Sequence, residues 1–135
     1  MIIYHFCAKK NVKNILRKGL TIGGVMVPNK KGFNLYSGYN WLTIDSDPKA
    51  QSWNTHNIIK YNRCAYRLTI DIPLDEAVKH LMNRDQLEAA LPGSGQLFDG
   101  WKGSHNWRVY KGVIPPEWII DAVEIHNRYD FERGL

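Results

Sequence analysis

The chain has few cysteines and none of the ligand spacings that mark metal sites. Its 135 residues include two cysteines, Cys7 and Cys64, and both lie in apolar, strand-like surroundings. We therefore predict two buried, reduced thiols, as is usual in a cytoplasmic protein. The five histidines are scattered and form neither an HExxH motif nor a set of His and Cys ligands, so we expect no bound metal.

The chain also lacks the signatures of several large enzyme classes. It contains no P-loop, no glycine-rich dinucleotide motif after a strand and no GxSxG nucleophile motif. Glu76, Glu88 and Glu117 have no evident carboxylate partner, which argues against a glycosidase pair. No apolar run approaches the ~20 residues of a membrane span, and the apolar start lacks the basic segment and cleavage site of a signal peptide. We therefore expect no membrane partner.

What the chain does have is an uneven distribution of charge. The formal net charge is +5, but residues 1–67 hold eleven Lys and Arg against two acids, Asp45 and Asp47. Residues 68–135 hold seven basic and eleven acidic residues. This asymmetry predicts either a basic face for an anionic partner such as nucleic acid, or a basic face that pairs with the acidic half after folding.

The length suits one hydrophobic core, so we predict a single domain over residues 1–135. Apolar periodicity in the first half predicts a strand at Met1–Phe6 and an amphipathic helix at Lys9–Lys18 that ends at Gly19. A long mobile loop at 21–38, which holds four glycines and a proline, precedes a second strand at Asn40–Ile44. Ser46 is predicted to cap a short helix that reaches about Trp53.

The second half begins with a cleanly alternating strand, Cys64–Ile72. Leu74–Leu91 is predicted as a helix, with Asn83 as the point where it could break, and 92–104 as a second long loop. Two strands complete the chain, at Trp107–Val113 and Ile119–His126, with a tight turn at Pro115–Trp118 between them. This order predicts an α+β domain with a mixed, mostly antiparallel sheet and flanking helices.

Aromatic and basic side chains near the predicted loops are the candidate binding residues. Aromatic rings close to cations suit stacking on a base or on a nicotinamide ring, and the alternative for Trp41 and Trp107 is a place in the core. Arg63 and Arg67 flank Tyr66 and could clamp a phosphate; the alternative is a surface ion pair. The aromatic candidates are Tyr36, Tyr39, Trp41, Trp53, Tyr61, Trp101 and Trp107.

Three segments in order resemble the ADP-ribosyltransferase superfamily, which includes DarT-type DNA-modifying toxins, poly(ADP-ribose) polymerases and RNA 2′-phosphotransferases. YHFCAKKNVKNILRKGL resembles the family's opening strand and helix, with His5, Gly19 and Leu20 matching and Cys7 where a hydroxyl residue is usual. WLTID, at Trp41–Asp45, looks like the second strand. YKGVIPPEWIIDAVEI is similar to the DarT-type ending, in which a proline-rich turn joins two strands.

The resemblance implies a split-sheet cleft that binds NAD as a substrate, without a metal. His5 would hydrogen-bond the adenosine-side ribose, and an aromatic residue between Tyr36 and Trp41 would stack on the nicotinamide. The family's usual third-motif Glu is absent, and His105 and Asn106 stand at its place, with Asp99 on the preceding loop as a substitute candidate. The full set of cofactor-binding candidates is His5, Cys7, Tyr36, Tyr39, Trp41, Thr43, Trp53, Arg63, Arg67 and Trp107.

Three functions follow as alternatives. The first is a transferase that moves ADP-ribose from NAD to a macromolecular target, with the basic half holding an anionic target such as nucleic acid. The second is a non-catalytic module that binds NAD, ADP-ribose or a related nucleotide. The third is a phage or mobile-element inhibitor, or another interaction protein, of the same fold.

Overall fold

The computed structural model describes residues 1–51 and 62–126, which form a single α+β domain. The strands within these ranges are β1 (Ile2–Cys7), β2 (Gly24–Asn29), β3 (Gly32–Ser37), β4 (Tyr39–Thr43), β5 (Tyr66–Asp71), β6 (Leu81–Met82), β7 (Trp107–Lys111) and β8 (Ile119–Glu124). The α-helices are α1 (Val12–Lys18), α2 (Leu74–His80) and α3 (Arg84–Ala90). Short 3-10 helices lie at Lys9–Asn11, Pro48–Ala50, Ser94–Leu97, Ser104–Asn106 and Pro116–Trp118.

Six of the strands form one sheet in the order β6-β7-β4-β1-β5-β8, and β2 and β3 form a separate hairpin. Every strand pairing among the described residues is antiparallel. The prediction of a mostly antiparallel sheet is confirmed, whereas the expected parallel component is absent from these pairings. Parallel neighbours need a crossover connection, usually a helix, and no helix among the described residues connects two neighbouring strands in this way.

The sheet carries a hydrophobic core on each face, because successive side chains along a strand point to opposite faces. The first core lies on the face covered by α1 and α2. The second core lies on the face covered by the β2–β3 hairpin and α3. The first core comprises Ile3, Cys7, Leu20, Leu42, Leu68, Ile70, Ile72, Ala77, Tyr110 and Ile114. The second comprises Val25, Val27, Tyr39, Leu87, Leu91, Phe98, Trp107 and Val109.

The prediction of a long mobile loop at 21–38 is wrong, because this segment forms the β2–β3 hairpin. Val25 and Val27 alternate with exposed residues and bury their side chains in the second core. The turn is stabilised by the Asn29 side chain, which accepts a hydrogen bond of 2.8 Å from the backbone N–H of Lys31. The glycines that suggested a loop instead permit close approaches: a Cβ on Gly23 would lie 2.3 Å from the Tyr39 carbonyl oxygen.

The predicted helix at Lys9–Lys18 is present, but its first turn is a 3-10 helix and α1 itself begins at Val12. Val12 and Ile15 pack against the first core, so the apolar stripe faces inward as expected for an amphipathic helix. Gly19 ends the helix at a φ of 83°, and its N–H donates to the Ile15 carbonyl oxygen at 2.7 Å. The helix end predicted from the sequence is therefore confirmed.

The predicted helix at Leu74–Leu91 is interrupted, as foreseen, near Asn83. The short strand β6 separates α2 from α3 and pairs with β7. Asn83 begins α3 with a capping box. Its side chain accepts from the Gln86 N–H at 2.9 Å, and the Gln86 side chain accepts from the Asn83 N–H at 2.8 Å. The helix is therefore interrupted because Asn83 caps the start of a second helix.

Two further segments differ from prediction. Asp47, not Ser46, caps the short helix after β4, since its carboxylate accepts from the Lys49 N–H at 2.9 Å; Trp53 lies outside the described residues. The predicted loop at 92–104 contains one complete 3-10 helix and the start of another. No helix in the described part of the chain has the length and apolar character needed to cross a membrane.

Candidate functional site

The sheet places the predicted binding residues on both of its faces. Ile3, His5 and Cys7 share one face of β1, and this is the face of the first core. Trp41, Thr43 and Trp107 lie on the face of the second core, since Thr43 pairs with Trp107 in the strand register. The structure therefore does not bring the full predicted set into one cleft.

His5 lies where the pairing between β1 and β4 ends. The register of these strands contains the single pair Tyr4 with Thr43, and the His5 ring reaches across the gap beyond it. Its Nδ1 lies 2.7 Å from the Trp41 carbonyl oxygen. Because a carbonyl oxygen only accepts, the proton sits on Nδ1 and leaves Nε2 as an acceptor. Burial lowers the pKa of His5, and the bond to Trp41 partly opposes that shift.

The two cysteines are buried and unpaired with one another, as predicted. Burial raises the pKa of Cys7 to about 11 and that of Cys64 to about 12, and the nearby Cys7 adds to the shift at Cys64. Both groups are therefore neutral thiols at physiological pH and poor nucleophiles. The Cys7 thiol packs in the first core. The family resemblance had predicted that Cys7 contacts a nucleotide.

The tryptophans of the predicted site pack together beneath the hairpin. The Trp41 ring centroid lies 5.3 Å from that of Phe98 and 6.3 Å from that of Trp107. The Trp41 indole N–H donates to the Gly24 carbonyl oxygen at 3.2 Å, and that of Trp107 to the Ala50 carbonyl oxygen at 3.4 Å. This is the core packing that was the alternative to nicotinamide stacking.

The tyrosines of the predicted site divide between the core and the surface. Tyr39 is buried in the second core. Tyr36 lies on β3 with 39% of its surface exposed, so its ring is the accessible one of the two. Trp53 and Tyr61 fall outside the described residues. Trp101 packs against the second core.

A polar cluster forms where β4 ends beside the start of β7. The Asp45 carboxylate lies 3.5 Å from the Asn106 side-chain amide, and the Asn106 carbonyl oxygen accepts from the Ile44 N–H at 3.0 Å. Thr43 faces inward at the same place, and its hydroxyl oxygen accepts from the Asp45 N–H at 3.1 Å. We call Thr43, Asp45, Asn106 and the adjoining Arg67 the Asp45 cluster.

Arg67 reaches the Asp45 cluster from β5. Its guanidinium lies 5.7 Å from the centre of the Tyr4 ring, and one terminal N–H donates to the Ser46 carbonyl oxygen at 3.0 Å. Its Nε is buried and has no hydrogen-bond partner within the part of the chain that the structure describes. A buried guanidinium nitrogen without a hydrogen-bond partner is costly in a protein.

The remaining candidates, His105, Asp99 and Arg63, make none of the contacts by which the Asp45 cluster is defined above. His105 is exposed, on the 3-10 helix before β7. Asp99 makes two hydrogen bonds of 3.0 Å to the Arg84 guanidinium, and these bonds lower the pKa of its carboxyl. Arg63 is exposed before β5. Asp99 therefore belongs to an ion pair with Arg84, which lies 15 residues away in the sequence.

Sequence reasoning assigned no role to Asp45, although this residue ends the WLTID segment. Its position became apparent from the strand register, because β4 pairs with β7 and brings its carboxyl end to the Asn106 turn. An acidic residue directly after a strand that is expected to border the site was the signal. The sequence did not reveal which strand would lie next to β4.

Comparisons with protein-family models, with curated proteins and with solved structures find no match for this chain. The resemblance to ADP-ribosyltransferases therefore stays a prediction, carried by the three segments quoted above. The described residues contain no group of three or more His, Cys, Asp and Glu side chains that could hold a metal ion.

Proposed function

We propose that this protein is an ADP-ribosyltransferase-like protein that binds NAD at the Asp45 cluster and transfers ADP-ribose to a macromolecular target. The observation that carries the proposal is the position of the Asp45 carboxylate, 3.5 Å from the Asn106 amide. Asn106 stands where the resemblance expects a glutamate. A carboxylate is thus present near that place, supplied by β4 instead of β7.

The chemistry of the transfer favours a carboxylate at this position. Breaking the bond between ribose C1′ and the nicotinamide nitrogen sends its electron pair to nicotinamide and leaves positive charge on the ribose. A nearby carboxylate stabilises that charge as it develops. A nucleophile of the target then bonds to C1′ and loses its proton. In this proposal Asp45 stabilises the charge, Asn106 holds the ribose, and the Arg67 guanidinium supplies positive charge to a phosphate.

The proposal predicts that Asp45→Asn separates binding from transfer. The amide keeps the shape of the side chain but removes its charge, so we expect NAD affinity to stay within about threefold and transfer to fall by about 10²-fold or more. Calorimetric titration with NAD measures binding, and transfer from radiolabelled NAD to nucleic acid or protein measures activity. Asp121→Asn is the matched control, because Asp121 is an exposed carboxylate on β8.

The outcomes distinguish the alternatives. Failure of NAD and ADP-ribose to bind or to raise the melting temperature at millimolar concentration would overturn the proposal. Binding without any labelled product indicates the non-catalytic module. One observation favours that second function: Asp45 already accepts a hydrogen bond of 2.9 Å from the Asp47 N–H, which spreads part of its charge.

A further inference from the structure

A groove of about 950 Å³ lies between the first turn of α1, the start of β5 and the end of β8. It shares no residue with the Asp45 cluster. Lys9, Lys10 and Lys13 line one wall, Tyr66 also lines the groove, and Val12 and Ile125 contribute apolar surface. We propose that this lysine groove binds single-stranded nucleic acid.

The charge of the groove is the first argument. Lys9 lies in the 3-10 turn before α1 and Lys13 lies in the first turn of α1, and both side chains line the groove. Both are exposed, and neither forms an ion pair among the residues that the structure describes. Residues 1–44 contain seven Lys and Arg and no acid, and among the described residues Glu124 is the one carboxylate that lines the groove. The wall therefore attracts a polyanion.

The lining of the groove is the second argument. Tyr66 is half-buried, packs on the first core, and presents its ring beside the apolar side chains. Proteins that hold single strands without sequence preference combine a cationic groove with aromatic rings on which bases stack. A strand of nucleic acid offers both features at every nucleotide. An acidic peptide supplies the charge but has no obligatory stacking partner for Tyr66.

The size of the groove is consistent with more than one nucleotide. Pockets that enclose a drug-sized ligand measure about 300–1,000 Å³, and this groove lies near the upper end of that range while remaining open at the surface. Because it is separate from the Asp45 cluster, nucleic-acid binding here does not depend on NAD binding. Either proposal can fail while the other stands.

The test is the binding of a fluorescein-labelled dT15 oligonucleotide, measured by fluorescence anisotropy at several salt concentrations without NAD. Three lysine contacts predict a slope of log affinity against log salt of about −2, since each neutralised phosphate of a single strand contributes about −0.7. The double variant Lys9→Glu with Lys13→Glu is expected to weaken binding at least tenfold at 50 mM salt. Its slope of log affinity against log salt is expected to become less steep, at about −0.7 or nearer zero.

The control variant carries the same change of charge elsewhere. Lys30→Glu with Lys31→Glu alters the tip of the β2–β3 hairpin, outside the groove, and is expected to keep the slope near −2. Tyr66→Leu is expected to weaken binding about fivefold or more, because base stacking is lost. Tyr66→Phe, which keeps the ring, is expected to bind like the unchanged protein. Circular dichroism and the melting temperature establish that each variant is folded.

Three results would overturn the inference. The first is no change in anisotropy at 20 mM salt with folded protein. The second is equal loss of binding in the hairpin variant and the groove variant, which would indicate diffuse attraction by the whole basic half. The third is competition by polyglutamate as effective as competition by unlabelled dT15, which would identify an acidic peptide as the ligand and remove the stacking role of Tyr66.

Discussion

His5 shows how a single side chain can serve structure at a position where the sequence suggests a ligand. Its ring closes the gap that opens when β1 and β4 cease to pair, by donating from Nδ1 to the Trp41 carbonyl oxygen. That bond gives the Trp41 carbonyl oxygen a side-chain donor. The imidazole is therefore held in one tautomer, with Nε2 unprotonated.

The burial of His5 predicts a dependence of stability on pH. Its pKa is lowered in the folded protein, whereas the unfolded chain takes up the proton near pH 6.5. Below that pH the unfolded state binds more protons, so stability falls, with a slope that approaches about 1.4 kcal/mol per pH unit for this one group. Urea denaturation between pH 7.5 and pH 5 measures the slope.

The variant His5→Asn isolates this contribution. Its amide N–H can occupy the place of Nδ1 and donate to the Trp41 carbonyl oxygen, but it does not titrate. We expect the stability of this variant to fall less steeply below pH 6.5 than that of the unchanged protein. Parallel curves for the two proteins would show that His5 is protonated as readily in the folded state as in the unfolded one.

At the scale of elements, Gly19 fixes how α1 meets the rest of the fold. Its φ of 83° turns the chain out of the helix, and the next residue, Leu20, forms an isolated bridge with Ile114. A Cβ on Gly19 would lie 2.0 Å from the Ile114 carbonyl oxygen. The helix end and the turn before β8 are therefore packed backbone to backbone.

Gly100 provides a matched comparison for Gly19, since its φ is also 83° but nothing lies within 4 Å of an added Cβ. We expect Gly100→Ala to destabilise the protein by about 1–2 kcal/mol, the cost of a left-handed residue with a side chain. Gly19→Ala is expected to cost about 1–3 kcal/mol more, because backbone must also move and because the ψ of −170° at Gly19 lies outside the left-handed helical region. Chemical denaturation of both variants measures the difference, and equal losses would contradict the close contact.

The elements that the sequence predicted correctly are those with one strong pattern. The alternation of Cys64–Ile72 and the apolar side of α1 each bury one face against a single core, so local periodicity reports their structure. The β2–β3 hairpin was missed because β3 is exposed along its whole length and carries no such alternation. Its strand structure comes from pairing with β2, a contact that single-sequence patterns do not contain.

The candidate site was predictable in part, for the same reason. Arg67 was selected from local chemistry, Asn106 from the family resemblance and Thr43 as one of the cofactor-binding candidates, and the Asp45 cluster contains all three. Trp41 and Trp107 were selected with them, yet their indole N–H groups bond to backbone carbonyls in the interior. Whether a ring faces a ligand or a core depends on which elements cover it, and here the covering element was the unrecognised hairpin.

At the scale of the whole molecule, one sheet separates two cores, and this arrangement makes the cores mutually dependent. Each central strand presents alternate side chains to both faces: β4 gives Leu42 to the first core and Tyr39 to the second. If the core on one face unfolds, the shared strands lose the packing that holds them in place for the core on the other face. The fold should therefore lose both cores in one cooperative step.

Truncation of one large side chain in each core tests this cooperativity. Ile70 in the first core and Leu87 in the second are both fully buried, so Ile70→Ala and Leu87→Ala should each cost about 2–5 kcal/mol. Because the cores share a sheet, each variant should shift the unfolding curves from far-UV circular dichroism and from tryptophan fluorescence by the same amount. If Leu87→Ala instead moved the fluorescence transition alone, the second core with its tryptophans would unfold separately, and the sheet would not couple the two faces.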